Sequence, residues 1–238
     1  MGDLDLDPSP KARKDSRARV PRRSKVSEGP QDPRAKALYE QAINVIVESV
    51  GDPAKTKEGV KQQIRLMEEA TQIVPDDPHI ASELANGYYR DGQLDRSVQV
   101  CRSAIEKMDP GTSDDPAESL WRQLGMAHLD KDEWADAASA FREQLRIRRC
   151  PECVIHLATC LLKLGEAQDA IEVLGSDVDF SHETLLLAGR AHIATGQHGR
   201  AEGFLLEAFR TSSWNTEVRA ELQALGFVVR EEGDHWIL

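Results

Sequence analysis

The sequence predicts an all-α protein in which antiparallel helix pairs repeat and stack into an α-solenoid. Its composition favours helix over sheet, because only 5% of the 238 residues are aromatic while Ala and Leu are frequent. A pattern of small and large apolar residues recurs along the chain. Within each recurrence, Gly or Asp marks a turn at a fixed distance from the small residues. These observations indicate helical hairpins rather than isolated amphipathic helices.

The repeat is clearest in residues 120–145, LWRQLGMAHLDKDEWADAASAFREQL. Three further segments align with it, at residues 81–110, 154–174 and 185–209. The charged break DKDE in the middle of the first segment is therefore predicted to be a turn between two helices. A glycine supplies a left-handed backbone at the turn in three segments, at Gly92, Gly165 and Gly196, and Asp132 stands in its place in the clearest segment.

Small residues flank each turn at one fixed position before it and one after it. They allow two antiparallel helices to approach closely, while larger residues such as Leu124 fill the space beside them. A single pair would leave its outer apolar face uncovered, so the pairs are expected to stack. The small residues are Ala85, Gly125, Ala158 and Gly189 before the turns and Ser97, Ala137, Ala170 and Ala201 after them.

In the clearest unit the pattern W-x2-L-G…A-x3-F is carried by Trp121, Leu124, Gly125, Ala137 and Phe141. This pattern resembles the tetratricopeptide repeat, and four such units fall within residues 78–213. The insertion GTSDDP and a short second helix in the third unit depart from the family pattern without changing the helical-hairpin class. The resemblance implies a right-handed superhelix whose concave face binds a peptide or helix of a partner protein.

The chain on either side of the four units is predicted to complete the stack. Residues 31–77 should form a further, divergent helix pair that is broken at Gly51-Asp52-Pro53. Residues 214–238 should hold a capping helix followed by FVVREEGDHWIL as a small hairpin or extended tail. This tail is expected to cover the last helix pair. Docking of Trp236-Ile237-Leu238 onto another molecule is the alternative.

Residues 1–30 differ from the rest of the chain in charge and in apolar content. Eight positive and five negative side chains give this segment a net charge of +3, whereas the whole chain carries −11. With few large apolar side chains, the segment is predicted to be disordered in isolation. It is either a solvated tail or an electrostatic arm for nucleic acid, an acidic protein surface or the chain's own acidic body. Its basic residues are Lys11, Arg13, Lys14, Arg17, Arg19, Arg22, Arg23 and Lys25.

The resemblance to the tetratricopeptide repeat also implies which side chains line the concave groove. The Lys/Asn/Lys/Arg clamp of the chaperone-tail members is not supported, because only Asn86 fits and Ser82 stands where a basic residue is expected. The groove instead suits an apolar or amphipathic segment that bears an acidic group. Packing of several of these residues against neighbouring repeats is the alternative. The predicted positions are Ser82, Asn86, Tyr89, Arg122, Met126, Leu129, Ile155, Thr159, Leu162, Leu186, Arg190 and Ile193.

The segment CPECVIHLATC, residues 150–160, suggests thiol or metal chemistry. Cys150 and Cys153 stand at a predicted helix start, where the helix dipole favours a thiolate, as in dithiol oxidoreductases. A closed zinc site needs four ligands, and Cys153, His156 and Cys160 do not share one helical face. Buried structural thiols are therefore the favoured interpretation, and redox chemistry and metal binding are the alternatives.

The sequence shows no phosphate-binding glycine loop and no hydrolase or metalloprotease motif, so no catalytic residue, metal or cofactor is predicted. His128 and His192 share one repeat position and are expected to pack in the core. No apolar run is long enough to span a bilayer, and the four cysteines do not form a disulfide framework, which favours a cytoplasmic location. The predicted function is a non-enzymatic scaffold or adaptor. The alternatives are a redox or metal-regulated protein using CPEC and a nucleic-acid-associated factor acting through the basic tail.

Overall fold

A computed structural model describes residues 29–109, 115–175, 181–232 and 235–237. Within these ranges the chain forms eleven α-helices and a two-stranded hairpin, which confirms the predicted class of antiparallel helix pairs. The elements are α1 Pro33–Ser49, α2 Pro53–Ile73, α3 Pro78–Arg90, α4 Leu94–Lys107, α5 Asp115–Asp130, α6 Trp134–Ile147, α7 Pro151–Leu164, α8 Ala167–Leu174, α9 His182–Ala194, α10 His198–Thr211, α11 Thr216–Ala224, β1 Arg230–Glu232 and β2 His235–Ile237.

The first three helices begin at an Asp-Pro pair, and local chemistry explains where they start. The side chains of Asp32, Asp52 and Asp77 each accept hydrogen bonds from two backbone N–H groups of the following turn. The proline that follows needs no hydrogen-bond partner at this position and is already held near a helical φ. Each aspartate therefore accepts hydrogen bonds from backbone N–H groups that have no partner within the helix. A cap of this kind stabilises the helix by about 0.5–2 kcal/mol.

The turns inside the four repeat pairs adopt a left-handed backbone at the predicted residue. The φ angle is 77° at Gly92, 79° at Gly165 and 74° at Gly196. Asp132 takes the same place in the second unit with a φ of 58°. Aspartate enters this region more readily than most residues because its short side chain can hydrogen-bond locally.

In the second and fourth repeat pairs, a glycine on the first helix lies against a large side chain of the second helix. A Cβ atom added to Gly125 would lie 2.7 Å from the ring of Phe141. A Cβ atom added to Gly189 would lie 2.7 Å from the side chain of Leu205. Because such separations are far below van der Waals contact, a glycine is required for each pair to close to its observed distance.

The apolar core runs between neighbouring helix pairs as well as within them. One cluster joins α1, α2 and α3 around Met67 and Ile80. Another joins α6, α7, α8 and α9 around Phe141, Leu157 and Leu161. Each second helix also contacts the first helix of the next pair. The stack therefore buries apolar surface that a single pair would leave exposed.

The C-terminal segment forms a small hairpin, which is one of the two conformations predicted for it. Its two strands are antiparallel, with Glu231 opposite Trp236. Phe227 and Val229 lead into the hairpin and pack against the last core cluster together with α11. This part of the tail therefore covers the end of the stack. Docking of the terminal WIL segment onto another molecule stays a prediction, and Leu238 lies outside the described residues.

Two features predicted from the sequence also lie outside the described residues. These are the basic residues of the N-terminal tail, between residues 11 and 25, and the first four residues of the insertion, 111–114. The remainder of the insertion, Asp115 and Pro116, already belongs to α5. Among the described helices, none combines the length and the apolar character needed to cross a bilayer.

Candidate functional site

The first helices of the repeat pairs carry the twelve residues that were predicted to line a groove. Helix α3 contacts α5, and α7 contacts α9, which in turn contacts α11. Ten of the twelve residues keep solvent-exposed surface. We call these ten residues the first-helix face. They are Asn86, Tyr89, Arg122, Met126, Leu129, Ile155, Thr159, Leu162, Arg190 and Ile193.

The structure buries the other two predicted groove residues, Ser82 and Leu186, which are only 7% and 6% exposed. Leu186 packs in one core cluster with Leu205 and Val218, because α9 is covered by α10 and α11. Ser82 lies on α3, which is in contact with both α2 and α5. Neither side chain offers a useful contact surface, so we exclude both from the face.

The middle of the first-helix face is apolar. Met126 and Leu129 of α5 and Leu162 of α7 are half-buried and pack against the same core cluster. Ile155 packs with Leu162 against the adjoining cluster. Packing from beneath holds these side chains in place while part of each remains open to solvent. We call these four residues the apolar patch, and it can bury an apolar side chain of another molecule.

The α3 end of the face contains a carboxyl group of the chain itself. Glu83 Oε2 accepts a hydrogen bond from Gln63 Nε2 at 3.1 Å. Burial raises the pKa of Glu83, whereas the hydrogen bond from Asn86 and the positive charge of Arg122 act in the opposite direction. Asn86 and Arg122 therefore already face a carboxyl group. An incoming C-terminal carboxylate would compete with the Glu83 carboxyl group for these two side chains, which further disfavours a carboxylate clamp.

The phenol of Tyr89 is fixed at the same end of the face. Burial, together with a hydrogen bond to the Asp130 carboxylate and the charge of that group, raises the pKa of Tyr89 to about 12. The phenol therefore stays neutral at physiological pH and donates its proton to Asp130. This bond ties α3 to the end of α5 and leaves the half-exposed ring available for contact.

Arg190 is paired within the chain rather than directed at a partner. Its Nε atom donates to Glu221 Oε1 at 2.7 Å, and its Nη2 atom lies 3.0 Å from Glu217 Oε2. Both carboxylates belong to the capping helix α11, which stacks beside α9. A role for Arg190 in orienting the carboxylate of a partner would require it to give up one of these contacts.

Of the four residues in the predicted thiol or metal cluster, the structure brings only two together. The Sγ atoms of Cys150 and Cys153 lie 2.9 Å apart, and both cysteines are free. Cys160 is buried in the core, which raises the pKa of its thiol to about 11. His156 stacks on Phe141 with a centroid distance of 5.2 Å, and burial lowers its pKa. Within the described ranges these four residues do not converge as a set of metal ligands.

A second cluster of titratable groups lies at the turn between α5 and α6 and was not predicted. His128 Nδ1 is 2.5 Å from Glu133 Oε2, and Asp136 is close enough to form a possible three-ligand group. Two cations already occupy its surroundings. Arg102 Nη2 lies 3.3 Å from His128 Nε2, and Lys131 Nζ lies 2.9 Å from Glu133 Oε1. The cluster is therefore a charge network that joins α4, α5 and α6, and its signal in the sequence was the run DKDE beside His128.

The equivalent histidine of the fourth unit has a different environment. His192 stacks on Phe204 with a centroid distance of 5.3 Å and an interplanar angle of 5°. Burial and the charge of Arg200 lower the pKa of His192. Gln197 replaces the glutamate that pairs with His128 in the second unit. Both histidines are buried at 3% and 5% exposure, so both are core residues in this structure.

The second and third repeat pairs match a known family of helical repeats. Residues 122–176 match the family model described as tetratricopeptide repeat. These residues comprise most of α5 together with α6, α7 and α8. A comparison with curated protein sequences gave no match.

Solved structures with the same fold cover most of the described chain. A structure of MamA is 18% identical with a TM-score of 0.58, and the match covers 69% of this chain and 95% of MamA. PilF of Pseudomonas aeruginosa is 19% identical with a TM-score of 0.60, covering 82% and 83% of the two chains. YrrB, described as a TPR protein with an unusual peptide-binding site, is 12% identical with a TM-score of 0.61, covering 78% and 99%. At these identities the likeness establishes the fold.

Proposed function

We propose that this protein is a non-enzymatic scaffold or adaptor that binds a segment of a partner protein on its first-helix face. The observation that carries the proposal is the apolar patch. Its side chains pack against the core and are only partly buried, and we infer that their exposed parts lie on one face. A cluster of this kind is the usual centre of a protein interface, where a few buried anchors supply most of the binding energy.

The chemistry around the patch indicates what kind of segment it would take. Apolar side chains at helical or extended spacing would cover Met126, Leu129 and Leu162. Arg122 is exposed on α5, one helical turn before Met126, and would orient an acidic group of the segment. Because Glu83 lies beside Arg122, this electrostatic contribution should be smaller than that of the apolar contacts.

The similarity to a solved structure of the same fold also supports the proposed binding of a peptide or helix. The description of YrrB as a peptide-binding protein concerns a chain of the same fold. We extend to this chain only the general role, the binding of a peptide or helix, and locate it on the first-helix face from the residues described above. The cytoplasmic location stays a prediction from the cysteine content of the sequence.

A capture experiment with matched variants tests this function. The full chain would be immobilised and exposed to an extract of the native cell, in parallel with Met126→Glu and Gln168→Glu. Both substitutions add one negative charge, but Gln168 is an exposed residue of the second helix α8. We expect Met126→Glu to lose proteins that the parent and Gln168→Glu both retain. Equal capture by all three folded proteins would contradict binding on this face.

A further inference from the structure

Cys150 and Cys153 form a close pair at the start of α7. Cys150 is the N-cap residue, Pro151 opens the helix and Cys153 follows in its first turn. The backbone N–H of Cys150 donates to Cys153 Sγ at 3.2 Å, and the two Sγ atoms are 2.9 Å apart. The helix start therefore holds both sulfur atoms in contact without any change in the backbone path.

The two thiols differ in their access to solvent. Cys150 keeps exposed surface, whereas Cys153 is 1% exposed. Burial, together with the neighbouring Cys150, raises the pKa of Cys153 well above its ordinary value. Cys153 is therefore poorly suited to react first with a molecule from solution, and Cys150 is the sulfur that such a molecule would reach.

A cation and a helix N-terminus both lie near the Cys150 sulfur. The Arg148 guanidinium lies close enough to Cys150 to interact with it electrostatically. Arg148 is itself held by Glu118 at 2.7 Å, which fixes its position beside the helix start. The N-terminus of the 14-residue helix α7 adds a partial positive charge from its backbone dipoles.

The other two cysteines have no such arrangement. Cys101 and Cys160 are both 0% exposed and belong to different core clusters. Burial raises the pKa of Cys101 to about 12 and that of Cys160 to about 11. They serve as internal controls, because they are thiols of the same chain in environments that resist both access and ionisation.

We propose that Cys150 and Cys153 are a redox-active dithiol that exchanges with small-molecule disulfides of the glutathione type and closes to an intramolecular disulfide. This inference is independent of the proposed binding of a partner segment. It departs from the interpretation of these cysteines as purely structural, which the sequence had favoured. Its basis is the contact between one accessible and one buried sulfur at a helix start.

The reaction proceeds in two exchanges. Cys150 gives up its proton to solvent and attacks one sulfur of the disulfide, whose S–S bond breaks and releases one thiol after protonation. Cys153 then gives up its proton and attacks the Cys150 sulfur of the mixed disulfide, which releases the second thiol. The protein loses two electrons and two protons, and the small disulfide gains both.

The test exposes the reduced full chain to glutathione disulfide, alkylates the remaining thiols and maps them by mass spectrometry. The parent should lose two of its four thiols, retain no glutathione and contain a Cys150–Cys153 disulfide. Cys153→Ser should keep one glutathione on Cys150, because no second thiol can displace it. Cys150→Ser should acquire neither glutathione nor an intramolecular disulfide. The double variant Cys101→Ser/Cys160→Ser should react like the parent.

A measurement on the parent alone guards against variants that fold poorly. In the reduced protein, Cys150 should be alkylated about tenfold faster than Cys101 and Cys160, as expected for an accessible thiol beside a cation. The proposal is overturned if the parent keeps all four thiols, if the disulfide joins a different pair, or if the cysteines react at equal rates.

Discussion

At the scale of single residues, the contact between Gly125 and Phe141 fixes the geometry of the second repeat pair. Phe141 is fully buried and also stacks on His156, so its ring has little room to move. Gly125→Ala would place a methyl group against this ring. We expect the substitution to lower the free energy of unfolding by about 1–3 kcal/mol. Urea unfolding monitored by circular dichroism measures the change.

Gly203 provides the matched control for that substitution. It lies in the middle of α10, and within the described residues no heavy atom approaches an added Cβ to within 4 Å. Gly203→Ala should therefore raise the free energy of unfolding by about 0.5–1 kcal/mol through the better helix propensity of alanine. Equal effects of the two substitutions would show that close helix contact at Gly125 does not govern the stability of this pair.

The ionisation of Glu83 predicts a pH dependence of stability. Burial raises the pKa of Glu83 above its ordinary value of 4.5, so the folded state holds this proton more tightly than the unfolded state. Stability from this group is therefore present below pH 4.5 and is lost as the pH rises through the raised pKa. As the pH rises from 4.5 through the raised pKa of Glu83, the free energy of unfolding of the parent should therefore fall relative to that of Glu83→Gln, which cannot ionise.

Urea unfolding of the parent and of Glu83→Gln at a series of pH values measures this difference. Glu106→Gln, an exposed position on α4, removes the same charge and is the control. A difference between parent and Glu83→Gln that is the same at every pH would contradict the burial of the Glu83 carboxyl group.

At the scale of elements, the salt bridges of Arg190 join the last first helix to the capping helix. The side chains of Arg190 and Glu221 are 37% and 25% exposed, so solvent screens them only in part. A double-mutant cycle with Arg190→Ala and Glu221→Gln should give a coupling energy of about 1 kcal/mol, at the upper end for exposed pairs. The measurement is the free energy of unfolding of the four proteins.

The same cycle separates stability from binding. Because Arg190 pairs with carboxylates of the capping helix α11, Arg190→Ala should lower the free energy of unfolding. It should not change the affinity of the protein for a captured segment. A coupling energy of zero together with a clear loss of affinity would return Arg190 to the binding surface, as the sequence had suggested.

The elements themselves were largely predictable, because their signals are local. The Asp-Pro helix starts, the left-handed turn residues and the paired small residues each act within one turn or one hairpin. The turn residues and the paired small residues were enough to predict helix pairs and the turn at Asp132. The C-terminal segment was predicted only to be either a small hairpin or an extended tail. The approach of Gly125 to Phe141 also follows from spacing, since both lie on the facing sides of adjacent helices.

The contacts between elements distant in sequence were not predictable in this way. The pairing of Arg190 with Glu217 and Glu221, the burial of Ser82 and the approach of Glu83 to Arg122 all depend on how neighbouring pairs stack. Repeat position alone placed twelve residues on one face. Repeat position could not distinguish a side chain that a neighbouring helix buries from one that remains exposed to solvent.

At the scale of the whole molecule, the proposed binding surface combines an apolar patch with charged residues in an acidic chain. The chain carries a net charge of −11, and Glu83 and Asp130 flank the α3 end of the first-helix face. Long-range electrostatics therefore does not favour an acidic partner in general. An acidic group could be oriented only locally by Arg122, while apolar contacts would supply most of the affinity.

The titration of a captured partner segment against folded variants tests the central claim most directly. Isothermal calorimetry with Met126→Ala and Met126→Glu should show affinity reduced by about tenfold or more. Arg122→Ala should reduce it only a few-fold, with a larger effect at low salt than at high salt. Gln168→Glu should bind like the parent. Unchanged affinity of Met126→Glu, with its circular dichroism spectrum intact, would show that the partner does not bind on the first-helix face.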